Sequence, residues 1–454
     1  MKKFITYCRQ KGTKKMRKKS LLLNAMLISA LLASSCGSKT ITRTSKEPTT
    51  ITSEQNTNRN ANKPIQTKPT KIREVKNAFA PKSMASSFDN LFLNTLPDKA
   101  GSDNVLISPF SVIMDFGMLE NGAEGGTLEE LEKYLNGGMP LSELNKLMET
   151  MRTSMMNSKD VDWNVANAIW LNKNKTSGLN KDYQKLVKNI YNSEVNLVPY
   201  SNETVDEINE WVNKETSGMI PKLLNNVNPT DFMHLINAIA FKGDWDEEFE
   251  KDNTEKNTIF NNLDGTTSKV DMMHCELDSY IKTDDLLGFT KDFKGGKYKF
   301  FALQANDNLT PKEIIEKTKK DGTSISDIIS QNTVDAPAYI GLPKFNIDFG
   351  IKLNESLNNM GIYKSFLPRA EFTKICDGND PYINEVVHKT HFEISETGVK
   401  AAAATSISLY ENVVIADSTP ITITMNKPFV YGILDEESKL PVFIGEMHTF
   451  AGQE

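Results

Sequence analysis

The spacing of apolar and polar residues sorts most of the chain into helices and strands. Segments 84–96, 109–119, 124–135, 141–156, 182–191 and 204–216 read as helices, the fourth with one clear apolar face. Segment 163–171 is apolar and β-like, and 232–241 is an unbroken apolar run of the kind a strand buried on both faces requires. Segments 338–345, 389–394, 421–425, 429–435 and 441–447 predict further strands. No repeat period is evident. The class is mixed, α+β, and residues 78–452 contain no linker-like break. A stretch of that length is large for a single core, so length alone predicts two domains.

One segment has a pattern without the bulk that normally goes with it. From Val399, period two gives one face of Val399, Ala401, Ala403, Thr405, Ile407 and Leu409, and another of Lys400, Ala402, Ala404, Ser406, Ser408 and Tyr410. Four consecutive alanines carry no β propensity and almost no side-chain volume. A strand of this kind gains little at a surface and meets little steric resistance on sliding between two others. Gly398 in front supplies a backbone hinge with no Cβ penalty. On these residues alone a short helix or a loop is equally open, since Ala is the best helix former.

The N-terminal end has its own pattern. Met1 to Lys19 is basic without an acid, residues 20–35 are apolar, and Cys36-Gly37 follows. This reads as a lipoprotein-type signal peptide ending at a lipidated Cys36, with Ala33-Ser34-Ser35-Cys36 an imperfect lipobox. The apolar run is short for a membrane span, which needs about 20 residues. Met16-Arg17-Lys18-Lys19 is the more usual kind of start, so 1–15 reads as an upstream extension. Residues 37–77 are rich in Thr, Lys, Asn and Ser and hold hardly any large apolar residue, which predicts a flexible tether. The expected organisation is therefore 1–36 signal peptide, 37–77 tether and 78–452 folded domain.

Charge sharpens this division. The chain totals −6, yet 1–36 carry nine Lys/Arg and no acid, and 37–77 carry nine Lys/Arg and three Glu, leaving 78–454 at −21. An acidic body argues against nucleic acid or a heparin-type polyanion as partner. Of four cysteines, only Cys275 and Cys376 fall in the body. Two are too few for a disulfide framework or a zinc cluster, and they read as buried free thiols, with one disulfide the alternative. The chain contains no Gly-x-Ser-x-Gly, no His-Glu-x-x-His, no glycine-rich phosphate loop and no clustered Cys/His, so an enzyme is not expected, nor a metal or other cofactor.

His388-Lys389-Thr390-His391-Phe392-Glu393-Ile394-Ser395-Glu396-Thr397-Gly398, followed by the alanine run, resembles the hinge and reactive-centre loop of the serpin family. The stretches 426–435 and 441–446 resemble its C-terminal strands. Asn104-Val105-Leu106-Ile107-Ser108-Pro109-Phe110-Ser111 is similar to its shutter, 211–221 to a helix-to-turn segment at the foot of its main sheet, and 235–245 to the strand leading up to the breach. Pro343-Lys344-Phe345 and an amphipathic helix over 353–360 add a further match. Because these blocks run from end to end of 78–452, the resemblance overrides the two-domain expectation. It implies the serpin fold, about nine helices around three β-sheets with an exposed reactive-centre loop.

The resemblance also implies roles. Ser108, Ser111, Asn237 and His388 would share one buried polar network holding the main sheet closed, Trp245 would lie where the loop first enters, and Glu396, Gly398, Val399 and Ala401 to Ala404 (Ala402 and Ala403 between them) would form the hinge. The implied activity is suicide inhibition: a protease attacks the loop, forms an acyl-enzyme, and is trapped covalently when the cut loop inserts as a new strand. Val399 departs from the family's usual Thr or Ser but is β-branched and apolar, so insertion survives. Counting forward from Gly398 with the family's usual loop length places the scissile bond at Asn412–Val413, within a window that also holds Leu409, Tyr410, Glu411, Val414, Ile415 and Ala416; counting back from Asn426 gives Asp417–Ser418. The loop is longer than the commonest form, and the forward count governs because inserted length sets where the protease ends. No Lys or Arg occurs between Ala401 and Met425, which disfavours a trypsin-like target. Elastase-, chymotrypsin- or subtilisin-like serine proteases fit, with cysteine proteases also open. The partners expected are the target protease and a membrane through Cys36, for a monomeric, exported protein of the cell envelope or cell surface. The competing expectation is a non-inhibitory surface-binding lipoprotein on the same scaffold.

Overall fold

The computed structural model describes residues 82–96, 103–306, 309–378, 381–399 and 420–452, all within the unit Arg73–Glu454. Cys36, the tether, Ala401 to Ala404 and the whole window 409–416 lie outside the described residues. Among the described residues are nine α-helices, three main sheets of seven, six and four strands, and one two-stranded ribbon.

Local signals start the elements. Helix Pro109–Glu120 begins with Ser108, whose hydroxyl accepts the Ser111 N–H at 3.2 Å, and has Pro109 at its first position, where a missing N–H costs nothing. Helix Pro311–Lys320 has a full capping box between Thr310 and Glu313. Every residue of Pro109–Glu120 is buried, because the helix packs against the main sheet on one side and strand Pro441–Met447 on the other.

The main sheet is ordered Phe345–Lys352, Ile383–Ile394, Met233–Asp244, Val161–Asn172, Glu194–Val198. Strand Met233–Asp244 is central and pairs along its length with Val161–Asn172, from Leu171 opposite Met233 to Val161 opposite Gly243. Its two faces feed different cores. Leu235, Ile239 and Phe241 pack into the large core between the sheets, and Ile236 and Ala238 pack under helix Asn202–Glu215 with Ile208 and Val212. Hence this run reads apolar without alternation.

Some expectations needed correction. The strand expected over 338–345 is two strands, Ala338–Pro343 in the four-stranded sheet and Phe345–Lys352 in the main sheet, with Lys344 at the crossing. The strand expected over 389–394 is twice as long, Ile383–Ile394, because Asn384 and Glu385 are polar residues inside it. Strands Thr254–Asn261, Thr267–Leu277, Leu286–Asp292 and Tyr298–Ala305, and helices Pro311–Lys320 and Ile325–Gln331, went unread. Cys275 and Cys376 form no disulfide, but only Cys376 is buried; Cys275 is half-exposed, on a strand of the four-stranded sheet.

Candidate functional site

Strand Ile383–Ile394 pairs in parallel with the central strand only from Ile383 opposite Met233 to His391 opposite Ala240. Above that point the two part. The chain turns at Ser395–Thr397 and returns with Gly398 opposite Asp244 and Val399 opposite Gly243, antiparallel to the central strand. The turn is closed by Ser395 N–H to Gly398 O at 2.9 Å and Ser395 Oγ to Gly398 O at 2.8 Å. Two residues of an additional strand are therefore seated at the head of the sheet, in the gap between its two middle strands and pointing down it.

Gly398 is required there. Its φ is +138°, and a Cβ would lie 2.2 Å from the Gly243 carbonyl oxygen and 2.7 Å from Asp244 Cα.

Trp245 anchors the turn from the central strand's side. It is fully buried, stacks on Phe293 with ring centroids 4.6 Å apart, and donates its Nε1–H to Ser395 O at 2.9 Å, and its backbone N–H bonds Thr397 O at 3.0 Å. Glu396 is held from the other side: Lys344 Nζ lies 2.9 Å from its carboxylate and Thr254 Oγ1 donates to it at 3.1 Å. Burial alone would raise the Glu396 carboxyl, but the Lys344 hydrogen bond and charge, with the Thr254 hydroxyl, hold it below the usual carboxylate range. Lys344, Thr254 and Trp245 thus tie the root of the loop to the crossing between two sheets, to the start of strand Thr254–Asn261 and to the end of the central strand.

Farther down the sheet, the polar residues singled out in the sequence meet. The Ser108 N–H donates to His388 Nε2 at 3.0 Å, so the ring proton is on Nδ1, which bonds Asn237 Oδ1. Asn237 Nδ2 in turn donates to Ser111 Oγ at 2.7 Å, Ser111 O at 2.9 Å and Asn167 Oδ1 at 3.0 Å. His388 and Asn237 are in register on adjacent strands, and Asn167 faces Asn237 from the third. One directed chain of hydrogen bonds therefore crosses three strands and ends on the helix beneath. Burial drives the His388 pKa down to about 3, so the ring is neutral at physiological pH.

Sequence reasoning missed Asn167, Lys344, Thr390 and Asp115. Thr390 donates to Leu106 O at 2.9 Å. Asp115, one helical turn after Ser111, is fully buried, with neither carboxyl oxygen in hydrogen-bond geometry with a partner among the described residues, and burial pushes its pKa well up. The available signals were a lone Asn between alanines in 163–171 and a lone Asp in an apolar helix. Among the described residues no group of three His, Cys, Asp or Glu is arranged to hold a metal.

The family model described as serpin (serine protease inhibitor) matches residues 84–449. The chain belongs to the serpin family. Similar sequences include a serpin-like protein of Thermococcus kodakarensis, 28% identical over 392 residues (84% of this chain and 89% of that one), and Iripin-1 of Ixodes ricinus, 28% identical over 376 residues (80% and 93%). Among solved structures, the thermophilic serpin tengpin in its native state superposes with a TM-score of 0.75 at 32% identity, covering 85% of this chain and 98% of tengpin. Tengpin in its latent state gives 0.68 at 31%, covering 81% and 97%. This serpin is similar to both states of one relative, and the higher score is with the native one. Serpins are in general protease inhibitors rather than enzymes, and their complexes are with the proteases they inhibit.

Proposed function

We propose that this serpin is a suicide-substrate inhibitor of a serine protease and that its reactive bond is Asn412–Val413. The observation that carries the reading is the pairing of Gly398 and Val399 beside the central strand, with nothing but the direct ladder below them to be parted. Continuing that register one residue at a time puts Ala401 opposite Phe241, Thr405 opposite Asn237 and Leu409 opposite Met233, the foot of the strand. Ten further residues at about 3.3 Å each would carry the loop some 33 Å down the sheet. Asn412 then falls three residues past the foot, where an acylated protease would be forced against the far pole and its active site deformed before deacylation. On insertion in that register, Val399, Ala401, Ala403, Thr405, Ile407 and Leu409 would face the core between the sheets, and Lys400, Ala402, Ala404, Ser406, Ser408 and Tyr410 the outer face. The inward set holds no charge and no proline, so its burial is favourable. Loop insertion releasing stored strain is a switch known for serpins as a class.

The absence of Lys and Arg between Ala401 and Met425 points to an elastase-, chymotrypsin- or subtilisin-like target. We further propose that Cys36 carries a lipid anchor, which makes the protein an envelope-bound shield against proteases arriving from outside.

The test is to mix the protein with neutrophil elastase, chymotrypsin, subtilisin, papain and trypsin, and to run denaturing gels with mass analysis of the released peptide. A band at the summed mass together with a Val413–Glu454 peptide is expected with one of the first three. Cleavage by all of them, with no such band and no rise in Tm afterwards, would sink the inhibitory reading and leave the non-inhibitory binding lipoprotein.

A further inference from the structure

Strand Val161–Asn172 is covered along only part of one edge. Strand Glu194–Val198 pairs with it from Ala168 to Asn172, so the half from Val161 to Asn167 has the central strand on one side and, among the described residues, no strand on the other. A cavity of about 940 Å³ lies beside that half, in the place of the missing strand. Met114, Met155 and Tyr191, all part of the large core, line it on the inner side of the sheet, and Trp211, packed on the second core, lines it on the outer side with Met219. Val165, on the same inward face of the strand as Asn167, is left half-buried by the gap. The cavity is separated from the slot that takes Gly398 by two whole strands, so an occupant and an inserting loop do not compete.

Asn167 forms the inner end of the cavity. Its side chain is only 5% exposed, and its Oδ1 accepts from Asn237 Nδ2 at 3.0 Å and from Ser111 Oγ at 3.2 Å, toward the central strand and the helix beneath. With Oδ1 held on that side, Nδ2 on the other branch of the amide is turned to the free edge and the cavity. There it has no hydrogen-bond partner among the described residues. A buried N–H without an acceptor is costly, and such a group calls for a partner of the opposite kind.

We infer that this cavity is a binding site for an uncharged, largely apolar small molecule whose one carbonyl oxygen accepts from Asn167 Nδ2. A pocket of this size, with methionine and aromatic walls and one directed polar group, suits a drug-sized ligand, and methionines adapt their shape to it. The charges at the mouth cancel: Arg152, Lys188 and Lys242 stand against Asp162, Glu194 and Glu215. Lys242 lies 3.8 Å from Asp162, Glu215 lies 3.3 Å from Lys214, and Arg152 Nε donates to Ile190 O at 2.8 Å. Neither sign is left in excess, which fits a neutral occupant. A carboxylate at the inner end would be desolvated against a single amide, at a large cost. A hydrocarbon would fill the space and leave Asn167 unanswered. A ketone, ester or amide oxygen accepts the one proton on offer and brings no donor of its own to the inner end.

The test titrates the full chain with prodan, an uncharged naphthalene bearing one propionyl carbonyl, whose emission moves to the blue in an apolar site. The expected result is saturable binding of one molecule per chain. The analogue with propyl in place of propionyl should bind about tenfold more weakly, the worth of one hydrogen bond to a buried donor, and a naphthalene sulfonate more weakly again. Val165→Trp and Met219→Trp fill the cavity from its two sides, and each should reduce prodan binding severalfold, with Tm as the check that it folds. Equal affinity for prodan and its propyl analogue overturns the carbonyl contact with Asn167. Binding unchanged in a folded Trp variant, or several molecules per chain without saturation, assigns the dye to exposed apolar surface and overturns the site. Absence of binding to the wild type overturns it outright.

Discussion

Replacing Glu120 by Gln should remove a pH dependence that the wild type cannot avoid. Glu120 closes helix Pro109–Glu120, fully buried, and accepts the Asn136 Nδ2–H at 2.7 Å. Its other oxygen and Asn136 Oδ1 have no partner in the structure. Burial, with Glu132 nearby adding to it and the Asn136 hydrogen bond opposing it, raises the carboxyl from 4.5 to about 8. A neutral acid supplies the one donor this acid–amide pair lacks. In the unfolded chain the group ionises near 4.5, so the folded state binds the extra proton between about 4.5 and 8 and stability falls as pH rises through that window. At ~1.36 kcal/mol per pKa unit the loss between pH 5 and 7.5 is about 3 kcal/mol from this residue. Asp89, raised to about 7 mainly by burial, and Asp115 add slopes of the same sign. The Gln amide can donate to Asn136 Oδ1 and accept from its Nδ2–H at every pH. The assay is the midpoint of the first urea transition, followed by tryptophan fluorescence at a series of pH values after incubation long enough for the midpoint to stop moving. The variant should match the wild type near pH 5 and exceed it by about 3 kcal/mol at pH 7.5. Parallel declines in the two proteins would refute a buried, proton-binding Glu120.

Other substitutions probe the site itself. Gly398→Ala puts a methyl against the Gly243 carbonyl, so the two-residue pairing at the head of the sheet should be lost and the yield of covalent complex fall at least severalfold against cleaved loop, read as stoichiometry of inhibition. Asn237→Ala strips His388, Ser111 and Asn167 of their common partner and should cost about 2–4 kcal/mol, with faster spontaneous loss of inhibitory activity on warming; an unchanged half-life would remove the network from any role in keeping the sheet closed. Lys344→Ala breaks a partly solvated ion pair and should cost only about 1 kcal/mol, screened by salt, while hydrogen exchange at Glu396 to Val399 rises. Because the folded His388 pKa is about 3 against 6.5 unfolded, the contribution of this residue falls as pH drops from 6.5 toward 3, opposite in sign to that of the buried acids, so the stability of His388→Gln relative to the wild type should improve over that range.

The sequence by itself determined the elements whose cause is local. Ser108 and Pro109 write a helix start, and an unbroken apolar run such as 232–241 writes a strand covered on both faces. It also determined the parts of the site that are chemically odd where they stand: an Asn in an apolar strand, a glycine before an alanine run. Which residues answer them was left to the tertiary structure, because hydrogen bonds join positions far apart in the chain and carry no periodic signal. Asn237 needs Ser111 from 126 residues away and His388 from 151, and nothing at 344 announces that its lysine will sit 2.9 Å from Glu396. The break at Lys344 had a local trace, Pro343 followed by a lysine on the phase of Ala338, Ile340 and Leu342, but only the packing of two sheets decides that the chain crosses between them there. Most of all, nothing local announces that the chain doubles back after Ser395–Thr397: only the register of Gly398 on Asp244 and Val399 on Gly243 shows that it returns antiparallel beside the central strand. Side-chain pattern is written one residue at a time, whereas the place a strand takes in a sheet is a property of the strands on either side of it.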